Sequence, residues 1–478
     1  MHCVDEQKIG VVGGGLAGCA CALALADSGR KVVLFEATDR LGGRVASVRP
    51  PGLDHPVDNC PHAAFRVYER FLQLMGRIGA QDGFRIQPRT LMCFLDPDNE
   101  DIHRVIDSSR FTPPLHLMPS LLKFKPLKVK ERTGLRRAVK ALRRSDPRDA
   151  QLDGQNFLSW LEEHGQNPAT IERFWTPFVL AALNVLPGDA SAGLAIFLFQ
   201  RGLFSSRSAF DAITFTSDLS DVLHSRLVAA LDKAGVEFHP ATPVRNLERV
   251  EGGFQLTSRE ASHLVDKVVL SVEVRHAHRM LGSLAHEPHV AKVRESLSQL
   301  KTSSLVGIHA RHPSPLLPDG LPYLVIMDEP LIQMVIDRTG EQGHAGEHWF
   351  SVPVSFADRW HDASDDELEE AYRRVLSQRL PTTWSEPSHV SVVRMRYATL
   401  APHPGSTALR PSSGALGQDL LLAGAWTDTG WPSTMEGAVR SGLAAAGVVL
   451  DEGYDVEEDW PGWPEAPKRG QEGWAEWV

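Results

Sequence analysis

The chain has 478 residues, more than one hydrophobic core usually supports, so it divides into two or three packed units. With 42% hydrophobic and 23% charged residues it is neither a disordered nor a fibrous chain. A formal net charge of -10 argues against broad nucleic-acid binding.

Taken in chain order, the sequence reaches an apolar strand within ten residues, and Asp5 and Glu6 stand where a secretion signal would need a basic region and an apolar core. The segment from Lys8 to Gly18 predicts a strand, a tight turn and an alanine-rich helix ending near Gly29. Its turn carries Gly13, Gly15 and Gly18, with Leu16 and Ala17 between them. The first glycine allows the turn, the second lets backbone approach a pyrophosphate, and the third permits close helix-strand packing. The helix N-terminus then attracts phosphate charge. A second strand, Lys31 to Glu36, ends in a carboxylate placed to accept hydrogen bonds from a ribose diol. Together these predict dinucleotide binding. Immediately afterwards, Ala37 leads to Gly42, Gly43 and Arg44, a second glycine pair and a cation able to meet the same pyrophosphate.

Five cysteines, Cys3, Cys19, Cys21, Cys60 and Cys93, form an odd set without a CxxC pair, which reads as a reduced cytoplasmic protein without structural zinc or any other metal site. From Lys123 to Arg148 there are eleven Lys or Arg against two acids, leaving 39 basic and 58 acidic residues elsewhere. Phe124, Leu127, Leu135, Val139 and Leu142 interleave this run, which predicts a basic amphipathic segment lying on anionic lipid, with a solvated surface helix as the alternative. The most apolar stretch, Phe174 to Phe199, is broken by Pro177, Asn184, Pro187 and Asp189, so no span crosses a membrane. Further on, Thr242-Pro-Val244, Phe254 to Thr257 and Asp266 to Ser271 predict a β-meander returning to the first sheet. The sequence from Leu420 through Gly424 and Ala425 to Ala438 and beyond again reads strand, loop, helix. Ser433 and Glu436 have capping-box spacing, so the helix is expected to begin there with free N-H groups at Thr434 and Met435. After Asp451 a tail with Trp460, Trp463, Trp474 and Trp477 is too polar to form its own core.

These motifs carry a resemblance. Glu36 followed by Arg40-Leu-Gly-Gly-Arg44 looks like the flavin amine oxidase and phytoene desaturase superfamily. Four further stretches are similar to its squalene-associated branch, the hydroxysqualene dehydroxylases: Val57 to His62, Pro114 to Leu117, Trp175 to Asn184 with Ala190 to Gly193, and Trp426 to Gly442. The resemblance implies an α/β fold with an α+β substrate part. A discontinuous Rossmann-type FAD-binding domain is expected from about 1–80, 205–275 and 390–450, with a substrate domain inserted at 81–204 and 276–389. It implies non-covalent FAD, held at the glycines above, Glu36, Ala37, Arg44, Val244, Gly424, Ala425, Thr434, Met435 and Ala438. The implied chemistry is removal of the allylic hydroxyl of a C30 isoprenoid by hydride from reduced FAD. That reaction needs an acid, for which His62 and Asp428 are the candidates. An apolar isoprenoid partner, no nucleic acid, and a cytoplasmic protein peripheral to the membrane follow. Relatives commonly have Gly-Gln at Cys60-Pro61 and Asp at Ala425, so Ala425 lacks an acceptor in the ribityl and phosphate region. A carotenoid-type desaturase or isomerase, an amine oxidase, and a non-catalytic flavin- or lipid-binding protein are the other readings.

Overall fold

The computed structural model describes residues 7–50, 53, 55–87, 90–106, 111–113, 115–339 and 348–450. The expected opening is present. β1 (Lys8–Val12) runs into α1 (Leu16–Asp27), and β2 (Lys31–Phe35) returns beside β1 in parallel, Ile9 opposite Val32. Every residue of α1 from Leu16 to Leu25 is buried, so this helix is apolar all round and covered on each side. Next come α2 (Glu69–Arg77) and the basic helix α3 (Val129–Leu142). Then α4 (Leu219–Lys233) feeds β3 (Glu237–His239).

A meander forms with shifted members: Thr242–Val244 is not a strand, the antiparallel sheet is Asn246–Val250, Gly253–Thr257 and Ser262–Val265, and the last expected segment becomes β4 (Lys267–Leu270) of the parallel sheet. After a long excursion, β5 (Leu420–Leu422) joins β4, and α5 (Met435–Leu450) follows. The five strands stand in the order β3-β2-β1-β4-β5, all parallel. Their Val and Leu runs suit a sheet buried on both faces. β1 connects outward to β2 on one side and pairs with β4 on the other, which creates a switch point, and the crevice beyond the carboxyl ends of the strands there is where such folds bind ligands.

A second, seven-stranded sheet orders His389–Leu400, Thr302–His312, His348–Ser355, Met334–Asp337, Tyr323–Ile326, Leu91–Leu95 and Ile102–Ile106. Its one parallel pairing sets Val325 against Phe94. Against it lies a helical layer whose core holds Phe157, Trp160, Trp175, Phe178 and Phe199. Two π-helical turns interrupt this layer, at Ile171–Trp175 and Gln200–Phe204. The apolar stretch from 174 to 199 folds as two short helices, broken where Asn184 takes a left-handed φ of 56°. Among the described residues no helix is long and apolar enough to cross a membrane.

In the basic segment the interleaved apolar residues turn inward. Phe124, Leu127, Leu135 and Leu142 are buried in the helical core and Val139 packs partly against it, so the apolar face of α3 is already covered by protein. The hydrophobic side chains left outside are others, described below. The tryptophan-rich tail and Cys3 lie outside the described residues, and Cys19, Cys21, Cys60 and Cys93 are buried free thiols.

Candidate functional site

The two glycine turns meet. Gly15 bridges to Gly42, and the Gly42 amide donates to the Gly14 carbonyl at 2.9 Å. Gly13 takes a φ of +112°, where a side chain would strike the Ser271 carbonyl oxygen at 2.6 Å. A Cβ on Gly18 would sit 1.9 Å from the Gly13 carbonyl oxygen, so its role is packing behind the turn, and it takes no part in the cavity wall. Gly15 differs, because a Cβ there would meet nothing nearer than the Gly43 Cα at 3.9 Å. That gap opens at the N-terminus of α1, which has no side-chain cap and no acid in its first turn. Uncapped amides and a positive helix end beside an open space make a cradle for a diphosphate.

Around this cradle lies a cavity of about 1190 Å³, above the roughly 300–1,000 Å³ of ordinary small-molecule sites and roomy enough for a dinucleotide with a second molecule. Gly13, Gly15, Leu16 and Ala17 form its floor, and Glu36 and Ala37 stand at the end of β2. The Glu36 carboxylate is fixed by the amides of Gly14 at 2.7 Å and Thr38 at 2.8 Å. Gly42, Gly43, Arg44 and Val244 add to the wall. Arg44 donates to the Ala398 carbonyl at 3.0 Å; burial pushes its guanidinium pKa down, with Glu273 opposing. From the far end of the sequence come Gly424, Ala425, Thr434, Met435 and Ala438. The rest of the wall is mostly apolar, including Leu180, Leu305, Val325, Met334 and Met395, and no lysine is among the described residues that line it.

The start of α5 corrects the capping-box reading. Thr434 Oγ1 accepts from the Gly437 amide at 3.2 Å, while Ser433 Oγ accepts from the Leu400 amide at 3.3 Å. Glu436 turns away to the core. Its fully buried carboxylate accepts from the amides of Arg70 at 3.2 Å and Phe71 at 2.8 Å and from Arg440 Nε at 2.6 Å. It therefore caps α2 and not its own helix, because the residue before α2, Tyr68, supplies no side-chain cap. Burial raises the Glu436 pKa, with Arg440 and the two amides opposing.

Of the two acid candidates, His62 reaches the cavity and Asp428 does not. Asp428 is exposed, and its carboxylate accepts from the Gly430 amide at 3.0 Å, so it stabilises a turn. His62 is half-buried in the wall, its Nδ1 donating to the Cys60 carbonyl at 2.7 Å, which leaves Nε2 for proton exchange. Loss of hydration pushes its pKa below the ordinary imidazole range; Asp58 and the Cys60 carbonyl pull it up, and Arg338 and Arg44 push it further down.

Two features escaped the sequence reading. Asp58 is buried and accepts from Arg338 Nη2 at 2.8 Å, Ser47 Oγ at 3.0 Å and the Leu219 amide at 2.8 Å, joining the segment before His62 to α4 and the seven-stranded sheet. Arg410 is also buried and donates to the carbonyls of Ala425 at 3.1 Å, Thr427 at 2.5 Å and Trp431 at 2.7 Å, holding the loop before α5. Burial lowers its pKa to about 10, opposed by Asp428 and Asp153. Neither partner set is local in sequence, so spacing gives no sign of either.

Comparison with known proteins agrees with this geometry. Residues 16–450 match the family described as flavin containing amine oxidoreductase. The hydroxysqualene dehydroxylase of Rhodopseudomonas palustris is 29% identical over 94% of this chain and 99% of its own length. The zeta-carotene desaturase of Capsicum annuum is 23% identical over 94% of this chain and 82% of its own. Among solved structures, cyclohexylamine oxidase from Brevibacterium oxydans superposes with a TM-score of 0.69 at 20% identity, covering 93% of this chain and 99% of that one, a likeness of fold.

Proposed function

We propose that this chain, which belongs to the flavin containing amine oxidoreductase family and is an oxidoreductase, removes the hydroxyl of hydroxysqualene to give squalene, using non-covalently bound FAD. One observation carries the reading: a single cavity runs from the diphosphate cradle at Gly15 and the N-terminus of α5 to His62 and a mostly apolar chamber. Gly13, Gly15, Gly42, Gly43 and Arg44 would hold the diphosphate, Glu36 the ribose and Val244 the adenine; the Thr434 amide, expected to be free, donates to the Pro432 carbonyl at 2.8 Å, so the Met435 amide at the start of α5 is left for the ring edge on which negative charge gathers on reduction. The cofactor in its reduced form supplies a hydride.

The chain's own residues perform the rest. His62, protonated at Nε2 and steadied through Nδ1, gives its proton to the departing hydroxyl oxygen, so the C–O bond breaks with loss of water. The carbon that loses the oxygen would be left to take up the hydride of the bound, reduced cofactor. Apolar walls of Leu180, Leu305 and Met334 keep water from an allylic cation that would otherwise recapture it. Two features support this reading over its rivals. An amine oxidase would be expected to place a lysine-bound water near the ring, and no lysine lines the cavity among the described residues. A desaturase runs hydride in the opposite direction and has no use for a proton donor.

The test combines purified protein, FAD, a chemical reductant and hydroxysqualene, with squalene read by mass spectrometry. Squalene formed in step with flavin oxidation is the expected result. Unchanged alcohol beside fully reduced flavin rejects the proposal.

A further inference from the structure

A second cavity of about 620 Å³ lies on the helical side of the molecule. The two π-helical turns contribute to its wall, Phe174 and Trp175 from the first and Leu203 and Phe204 from the second. Turns of this kind gather at functional positions. The first of them also presents Glu172 to the main cavity, so one helical turn borders both spaces. α3 supplies the opposite side, with Val139 among Arg136, Lys140, Arg143 and Arg144, all four cations exposed.

The surface beside it is unusual in the opposite sense. Among the described residues, six large hydrophobic side chains stand exposed to water; Leu264 and Tyr397 lie elsewhere in the sequence, and Phe111, Leu115 at 53%, Leu122 at 55% and Val129 fall within residues 111–129. Leu115 and Leu122 also line the second cavity. Exposed apolar side chains collected at the rim of a basic helix mark a surface built to meet something both greasy and negative.

We propose that this face docks on an anionic bilayer, with one acyl chain of an acidic phospholipid entering the second cavity and its phosphate held by Arg136, Arg143 and Arg144. Complementarity selects this occupant. A free phosphate offers nothing to the apolar walls, and a zwitterionic lipid brings, beside its phosphate, a choline cation that the guanidinium groups repel. The chain as a whole carries -10 and would be repelled by such a membrane, yet the segment from 123 to 148 holds eleven basic residues against two acids and turns this one face towards it. The proposal concerns binding alone and stands apart from the reaction argued above.

Flotation of the full chain, without substrate, on vesicles of phosphatidylcholine or of equal parts phosphatidylcholine and phosphatidylglycerol tests it. The protein is expected to float with the mixed vesicles only. Changing Arg136, Arg143 and Arg144 to Gln should weaken partitioning on the order of a hundredfold, and Leu115→Ser with Leu122→Ser by about tenfold or more. These side chains are exposed, so an unchanged thermal transition is expected and shows that the fold is intact. Brominated acyl chains should quench part of the tryptophan fluorescence through Trp175, and Val139→Phe, which narrows the cavity, should lose that part while flotation persists. Equal flotation on both vesicle types, or arginine variants that float like the parent, overturns the docking surface. Quenching unaffected by Val139→Phe overturns the acyl-chain site.

Discussion

The Glu436 carboxylate, in the first turn of α5, accepts the backbone amide of Phe71 in the first turn of α2 at 2.8 Å, a bond across 365 positions of sequence. It fixes the helix whose N-terminus faces the cofactor cavity to a helix that contributes nothing to that cavity's chemistry. Glu436→Ala removes the buried acceptor shared by the Arg70 and Phe71 amides and Arg440 Nε and should cost about 3–5 kcal/mol of stability in denaturant titration.

The same residue predicts a pH dependence. Because burial raises its pKa, the folded state holds this proton more tightly than the unfolded chain does. Its contribution therefore falls as pH rises from the ordinary glutamate value of about 4.3 through the raised one. Glu436→Gln should abolish that slope; a slope equal to the parent's would show that other groups cause it.

Two glycines should separate folding from binding. Gly18→Ala forces a Cβ to 1.9 Å from the Gly13 carbonyl oxygen and should lower the thermal midpoint sharply. Gly15→Ala meets no protein atom nearer than 3.9 Å, so the fold should survive. The added methyl fills the diphosphate cradle instead, and FAD affinity by fluorescence titration should fall by about tenfold or more, roughly 1.4 kcal/mol.

His62→Gln should lower turnover between about a hundred- and ten-thousandfold if it is the proton donor, with FAD affinity unchanged. Since its pKa lies below the ordinary imidazole value of about 6.5, parent activity should climb as pH falls into the acid range. Asp58→Asn removes an upward pull and should move that limb to lower pH, whereas Arg338→Gln removes a downward push and should move it higher. Shifts in the same direction would exclude His62 as the titrating group.

Ala425→Asp should tighten FAD binding by about fivefold, since one added acceptor contributes on the order of 1 kcal/mol. Equilibrium titration of the two proteins decides it. Equal affinities would mean that the loop held by Arg410 already meets the cofactor's donors with backbone groups.

Local signals proved the readable ones. The turn at Gly13 to Gly18 and the strand running up to Glu36 each depend on neighbours a few residues apart, and each stands where spacing put it. Glu436 shows the limit: capping-box spacing is a local pattern, but α2 offered two buried amides from 365 positions away and a buried carboxylate satisfies those first. Asp428 and Ser433 failed for a related reason, since a short loop residue can turn towards solvent or towards a neighbouring strand with almost no change in sequence pattern. The apolar positions of α3 were read correctly as one face, yet periodicity cannot say whether lipid or protein covers that face.

The five-stranded sheet takes β1 and β2 from the beginning of the chain and β5 from near its end. At ribosomal speeds of roughly 5–20 residues per second, on the order of 20 to 80 seconds separate the emergence of the first strand from that of the last. From its own emergence until that of β5, β4 has an open flank, and throughout the interval α1 lacks the neighbour that Gly442 brings against Ala17. Maturation of the nascent polypeptide is thus gated by the segment from Leu420 to Leu450, and a premature stop before Leu420 would release an aggregation-prone product with every early motif intact and no working cofactor site.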